Sequence, residues 1–204
     1  MKLGIIDLET GNLGSLKSAI NKLNIKHSIC KKKFDFEGID RIILPGVGAF
    51  GDFMEKLEKS DLKNLLIDKL QKKVPILGIC VGFQVLFSES YEHGVNKGLN
   101  IIKGQLKNLK DENLNIKVPH VGWNECKLLK DCKLFYGIKD YSDFYFTHSY
   151  FVKNFDEKIV ISETEYGTKI VSVINQENIY GVQFHPEKSQ LNGLQVLKNF
   201  NERC

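Results

Sequence analysis

Along the first half of the chain, short wholly apolar runs alternate with stretches whose apolar residues recur at helical spacing. Residues 3–6 read as a buried strand closed by Asp7. After a turn over 10–14, Leu16, Ala19, Ile20 and Leu23 mark one face of a helix. Residues 27–30 and 41–44 read as two further strands, the second ended by the loop Pro45-Gly46-Val47-Gly48-Ala49-Phe50. Helical patterns follow over 51–59 and 61–72. A last apolar run then leads through Pro75-Ile76-Leu77-Gly78-Ile79 into Cys80, with a helical pattern behind it. Strands alternating with helices at this rhythm predict an α/β fold with a mostly parallel central sheet covered by helices on both faces.

The second half has a different texture. Residues 99–102, 116–118, 144–147, 159–161, 169–173 and 179–184 are short, β-rich and separated by turns carrying Gly, Asn and Asp. They predict additional, antiparallel strands. A closing helix is predicted over 189–203 through Leu191, Leu194, Leu197 and Phe200. No linker, repeat or low-complexity segment interrupts the chain, so a single domain over 1–204 is expected.

Composition narrows the class. The formal net charge of +4 comes almost wholly from lysine, since Arg41 and Arg203 are the only arginines. That balance argues against nucleic-acid recognition, for which arginine is the favoured residue, and Lys31-Lys32-Lys33 reads as a solvated loop. Five cysteines form no Cys-x-x-Cys pair and leave one over in any pairing. Reduced thiols and a cytoplasmic location are therefore expected. Met1-Lys2 lead straight into the first strand and no apolar run reaches membrane length, so neither a leader nor a membrane contact is expected.

The chemistry centres on Gly78-Ile79-Cys80-Val81-Gly82-Phe83-Gln84. A cysteine between two glycines, at the end of an apolar run and the start of a helix, is how a chain presents a nucleophile on a tight turn. The start of a helix also favours the thiolate, the reactive form. Taken alone, the turn fits a buried structural cysteine equally well. About a hundred residues later, Phe184-His185-Pro186-Glu187 supplies the right types for a Cys-His-Glu triad: an imidazole to move the thiol proton and a carboxylate to orient it.

Together these two segments resemble the class I (triad) glutamine amidotransferases. Further segments narrow the resemblance: Asp7 with Gly11-Asn12-Leu13, the 45–50 loop, Lys97-Gly98-Leu99, Pro119-His120-Val121-Gly122-Trp123-Asn124, Tyr145-Phe146-Thr147-His148-Ser149-Tyr150 and His185-Pro186-Glu187-Lys188-Ser189. They look like the glutaminase subunits of imidazole glycerol phosphate synthases, and they run through essentially the whole chain. The pattern departs from that family at Gly14, where arginine is common, and at Phe83, where methionine is usual.

The resemblance implies the flavodoxin-like amidotransferase fold, no cofactor and no metal, with L-glutamine as substrate. Cys80 would attack the glutamine amide, His185 would act as general base and acid, and Glu187 would orient it. Val47, Gly48 and Val81 would form the oxyanion hole. Gly46, Gly48, Gln84, Glu92, His148, Ser149 and Tyr150 would hold glutamine. The released ammonia would pass to a (β/α)8-barrel cyclase subunit in a heterodimer, which makes imidazole glycerol phosphate and the purine precursor AICAR in histidine biosynthesis. Asn12, Trp123, Tyr145 and Lys188 would meet that partner. Two alternatives stay open at this stage: a paralogue supplying ammonia for amidination of a bacterial surface or glycoprotein sugar, and a non-catalytic binding or regulatory protein on the same fold.

Overall fold

A computed structural model describes residues 1–9, 13–112 and 115–204. Residues 10–12 of the turn predicted over 10–14, Asn12 among them, lie outside the described residues. In chain order the first half contributes β1 (Leu3–Ile6), α1 (Gly14–Lys22), β2 (His27–Cys30), β3 (Arg41–Gly46), α2 (Phe50–Lys59), α3 (Leu62–Gln71), β4 (Ile76–Cys80) and α4 (Val81–Gln84). The second half adds β5 (Glu89–Ser90), β6 (Asn96–Lys97), β7 (Gln105–Asn108), β8 (His120–Leu128), β9 (Ser142–His148), β10 (Tyr150–Lys153), β11 (Val160–Glu165), β12 (Lys169–Gln176), β13 (Ile179–Val182) and α5 (Gln190–Arg203).

Nine strands form one sheet in the order β2-β1-β3-β4-β13-β12-β11-β8-β9. The first five are parallel to their neighbours, and the remainder continue the sheet antiparallel. A small four-stranded sheet, β10-β7-β5-β6, stands beside it. Every residue of β1, β4 and β13 is buried. Because side chains alternate between faces, this means both faces are covered, and the apolar runs are continuous for that reason. The helices pack through one face each: α2 buries Phe50, Phe53, Met54 and Leu57, each contributing about 1.5–3 kcal/mol.

Four sequence expectations are corrected. Residues 99–102 form no strand, because the amides of Leu99, Asn100, Ile101 and Ile102 are taken by the carbonyls of Val85, Leu86 and Phe87. For the same reason the helix after Cys80 stops after one turn: those carbonyls serve the 99–102 loop instead of a longer helix. Residues 116–118 are irregular, and the strand begins at His120 instead. On α5 the buried stripe runs through Gly193, Val196, Leu197 and Phe200, which leaves Leu191 outside it and 77% exposed.

Candidate active site

Topology gathers the site. β3, β4 and β13 are adjacent and parallel, so their carboxyl ends open on one edge of the sheet, where ligands of open α/β sheets bind. Gly46 is in register with Cys80, and Ile79 with Val182. The 47–48 loop, Cys80 and the Gln183–His185 segment therefore emerge side by side. The antiparallel strand β9 closes the fourth side. Its Tyr145 carbonyl accepts a hydrogen bond from the His185 amide at 2.9 Å, and Ser189 Oγ takes the Tyr145 amide at 3.0 Å.

Cys80 sits at φ 53°, ψ −110°, a strained backbone for a residue with a side chain. The turn is held down by Gly82, where an added Cβ would lie 1.8 Å from the Leu44 carbonyl oxygen. Only a glycine allows the chain leaving Cys80 to press against β3. With one turn behind it, α4 adds little field at the sulfur. The charge environment comes from the neighbouring side chains instead.

His185 is buried, and its Nδ1 lies 2.8 Å from Glu187 Oε1. Its Nε2 and Glu187 Oε2 are buried without hydrogen-bond partners among the described residues. Burial pulls the imidazole pKa down, but the Cys80 sulfur and the Glu187 carboxylate outweigh it and raise it well above the ordinary value. An imidazole whose charged form is favoured between sulfur and carboxylate is suited to accept the thiol proton and pass it on.

Cys80 and His185 line a cleft of about 380 Å³ together with Val47, Gly48, Val81, Gln84, Glu92 and residues 147–150, and Glu187 lies behind its wall. Its size suits one small ligand. Gly48 takes φ +92° on the exposed lip, where an added Cβ would meet nothing within 4 Å. Glu92 Oε2 accepts the Phe50 amide at 2.6 Å, which fixes its carboxylate at the start of α2 beside the cleft. Gln84 donates to the Tyr150 carbonyl and to Gln183 Oε1, each at 3.1 Å. Of the residues expected to hold glutamine, only Gly46 is off the cleft wall. It is buried beneath, against Gly82 and behind His185 and Glu187.

Three site neighbours were assigned no role from the sequence, although Thr147 and His120 lie within segments it singled out. Gln183 is fully buried and donates to Cys80 Sγ at 3.9 Å. The Thr147 carbonyl lies 3.8 Å from the same sulfur. His120, stacked between Phe146 and Tyr166, meets His148 at 3.0 Å. Burial pushes these two imidazoles down, to about 4 for His120 and about 3 for His148, where the neighbouring histidines add to the effect. Both are therefore neutral.

On the outer side, Trp123 and Tyr145 pair across β8 and β9, with ring centroids 6.0 Å apart. Lys188 Nζ lies 5.5 Å over the Tyr145 ring. Trp123 is 47% exposed, so the lone tryptophan is not a core residue. Three of the four expected partner-facing residues thus share one surface.

The family model for glutamine amidotransferase class-I matches residues 4–204. The chain is 48% identical to the imidazole glycerol phosphate synthase subunit HisH of Methanocaldococcus jannaschii over 98% of both chains. It is 40% identical to the HisH subunit of Aquifex aeolicus, over 100% of this chain and 98% of that one. Among solved structures, a glutamine amidotransferase from Thermotoga maritima shares the fold, with a TM-score of 0.67 at 17% identity over 98% of this chain and 80% of that one. The chain belongs to the class I glutamine amidotransferases and, within them, to the HisH subunits of imidazole glycerol phosphate synthase.

Proposed function

We propose that residues 1–204 act as one glutamine amidotransferase domain that hydrolyses L-glutamine at Cys80 and delivers the ammonia to a synthase subunit in histidine biosynthesis. The observation that carries this reading is the strained Cys80 at the end of β4, sharing a cleft with a His185 held by Glu187.

In the reaction, the Cys80 proton moves to His185 Nε2 and the sulfur adds to the amide carbon of glutamine. The oxyanion is met by the Val81 amide, left free in the first turn of α4, and by the 47–48 peptide once it points inward. His185 then gives its proton to the departing nitrogen, and ammonia leaves a glutamyl thioester. Water, deprotonated by His185, attacks the thioester; glutamate is released and the thiol restored. Glu92 receives the substrate's α-ammonium, and His148, Ser149 and Tyr150 wall the pocket, mostly through backbone groups.

Ammonia released into water at neutral pH becomes ammonium, which is no nucleophile, so it is passed on directly. The acceptor is a (β/α)8-barrel cyclase forming a heterodimer with this chain, and its products are imidazole glycerol phosphate and AICAR. Trp123, Tyr145 and Lys188 form part of the docking face, and Asn12 is assigned to it from the sequence resemblance alone. The exposure of Trp123 supports this reading. Among the described residues no helix is long and apolar enough to cross a membrane. The free cysteines support a cytoplasmic location for the complex. Glutamate release, measured in the presence and absence of the cyclase and its acceptor ligand, tests the reading. Strong activation is expected. Equal, high rates in both conditions, or activation by a sugar-modifying partner instead, would contradict it.

A further inference from the structure

The orientation of the polar network behind the nucleophile follows from one atom, the Tyr150 carbonyl oxygen, which can only accept. It is approached by His148 Nδ1 at 2.9 Å and by the Gln84 amide at 3.1 Å, so both must donate. Since the nitrogen of Gln84 faces Tyr150, the Gln183 atom 3.1 Å from that same nitrogen has to be the oxygen. The Gln183 NH2 group is thereby turned the other way, onto Cys80 Sγ at 3.9 Å. On the far side, His148 Nε2 becomes an acceptor and takes the Nδ1–H of His120 at 3.0 Å. His120 Nε2 in turn accepts from Asn124, whose amide nitrogen also donates to the Glu165 carbonyl at 3.0 Å. Every member has one permitted orientation, and Gln84, Gln183, His120 and His148 are all buried.

We propose that Gln183 is a further active-site residue: its amide donates to the Cys80 sulfur and holds it in the attacking position, in an orientation dictated by Gln84 and the Tyr150 carbonyl. The sulfur has two polar neighbours with opposite demands. The Thr147 carbonyl accepts the S–H of the resting thiol. Gln183 donates, so it meets the sulfur that has already yielded its proton to His185. Gln183 favours the sulfur ready to add to a carbonyl carbon over the sulfur tied back to β9. It also couples the sulfur to the 148–150 segment of the glutamine cleft, because Gln84 donates both to Gln183 and to the Tyr150 carbonyl.

This inference rests on Cys80 being the nucleophile, and its test separates the two claims. Gln183→Met removes the donor at similar volume. Gln183→Glu retains the oxygen for Gln84 and sets a second oxygen against the sulfur. Each variant, in complex with the cyclase, is assayed for glutamine-dependent turnover, and each free chain for alkylation by iodoacetamide, resolved by peptide mass. The expected result is a kcat lower by about tenfold or more, the size of one hydrogen bond to a charged atom, with KM within about threefold. Alkylation of Cys80 slows in parallel, while that of buried Cys126 stays unchanged. A tie that merely held the core together would give the opposite sign, with Cys80 and Cys126 both reacting faster once it was cut. That outcome, or wild-type kcat and Cys80 reactivity in either folded variant, overturns the proposal. If Gln183→Met fails to fold, Gln183→Glu decides alone. Failure of the nucleophile assignment would show itself differently, as glutamine turnover surviving Cys80→Ala.

Discussion

Replacing Glu187 by Gln isolates what its charge contributes. The amide has the carboxylate's shape, and its oxygen can still accept the His185 Nδ1–H now 2.8 Å from Oε1, so the ring keeps its orientation. What disappears is the negative charge beside an imidazole that must become cationic. The side chains are 2% and 12% exposed, so water screens little of the loss. The difference between a charge-assisted and a neutral hydrogen bond sets a floor of about 1 kcal/mol. The attraction of two unit charges about 4 Å apart at an effective dielectric near 20 sets a ceiling of about 4 kcal/mol. The fall in kcat should therefore lie between about fivefold and a thousandfold. Glu187 stands behind His185 and not on the cleft wall, so KM for glutamine should stay within a few-fold. Steady-state glutamate release by the complex at saturating acceptor ligand measures both constants. A kcat within twofold of wild type, or an effect confined to KM, would refute the assignment of Glu187 as the partner of a charged His185.

Two glycines should respond in opposite ways. Gly82→Ala sets a Cβ 1.8 Å from the Leu44 oxygen and should prevent folding or lower Tm steeply, whereas Gly48→Ala meets open space. Gly48→Ala bears only the strain of its φ +92°, about 1–2 kcal/mol, which should appear as altered glutaminase activity with Tm little changed. Scanning calorimetry beside the glutamate assay separates the two. Acid should also destabilise the fold through His120 and His148, whose native pKa values lie below the unfolded value of about 6.5. Their contribution is intact above that pH and lost as pH falls from about 6.5 toward 4, by up to about 1.4 kcal/mol per pH unit for each histidine. Charged His185 works in the other direction: its stabilising term is complete below about 6.5 and fades as pH climbs through its raised native value. Urea midpoints across about pH 4.5–9 check both, and His120→Gln should flatten the acid limb.

The parallel half of the fold was legible because a strand buried on both faces is written as an unbroken apolar run, as in Leu3–Ile6 and Ile76–Cys80. The convergence of Cys80, His185 and Glu187 was legible for a local reason too: the turn residues that present each of them lie within a few positions. The second half was harder to read. The 99–102 run has strand composition, yet its amides serve the carbonyls of Val85, Leu86 and Phe87 across a loop that no periodicity reveals. β8 hid in the converse way, since His120, Gly122 and Asn124 break an alternation that only the exposed Val121, Trp123 and Glu125 complete. Gln183 was invisible for a third reason. A glutamine following a strand is unremarkable until its contacts, 99 and 103 residues away in sequence, are known.

The central claim is that Cys80 generates the ammonia and a partner protein uses it. Cys80→Ala, assembled with the cyclase, tests this most directly when product formation is followed with glutamine and, separately, with ammonium salt at alkaline pH. The structure predicts complete loss of the glutamine-dependent reaction and an ammonia-dependent rate equal to wild type. Glutamine-dependent synthesis that survives the substitution, or loss of both activities together, would contradict it.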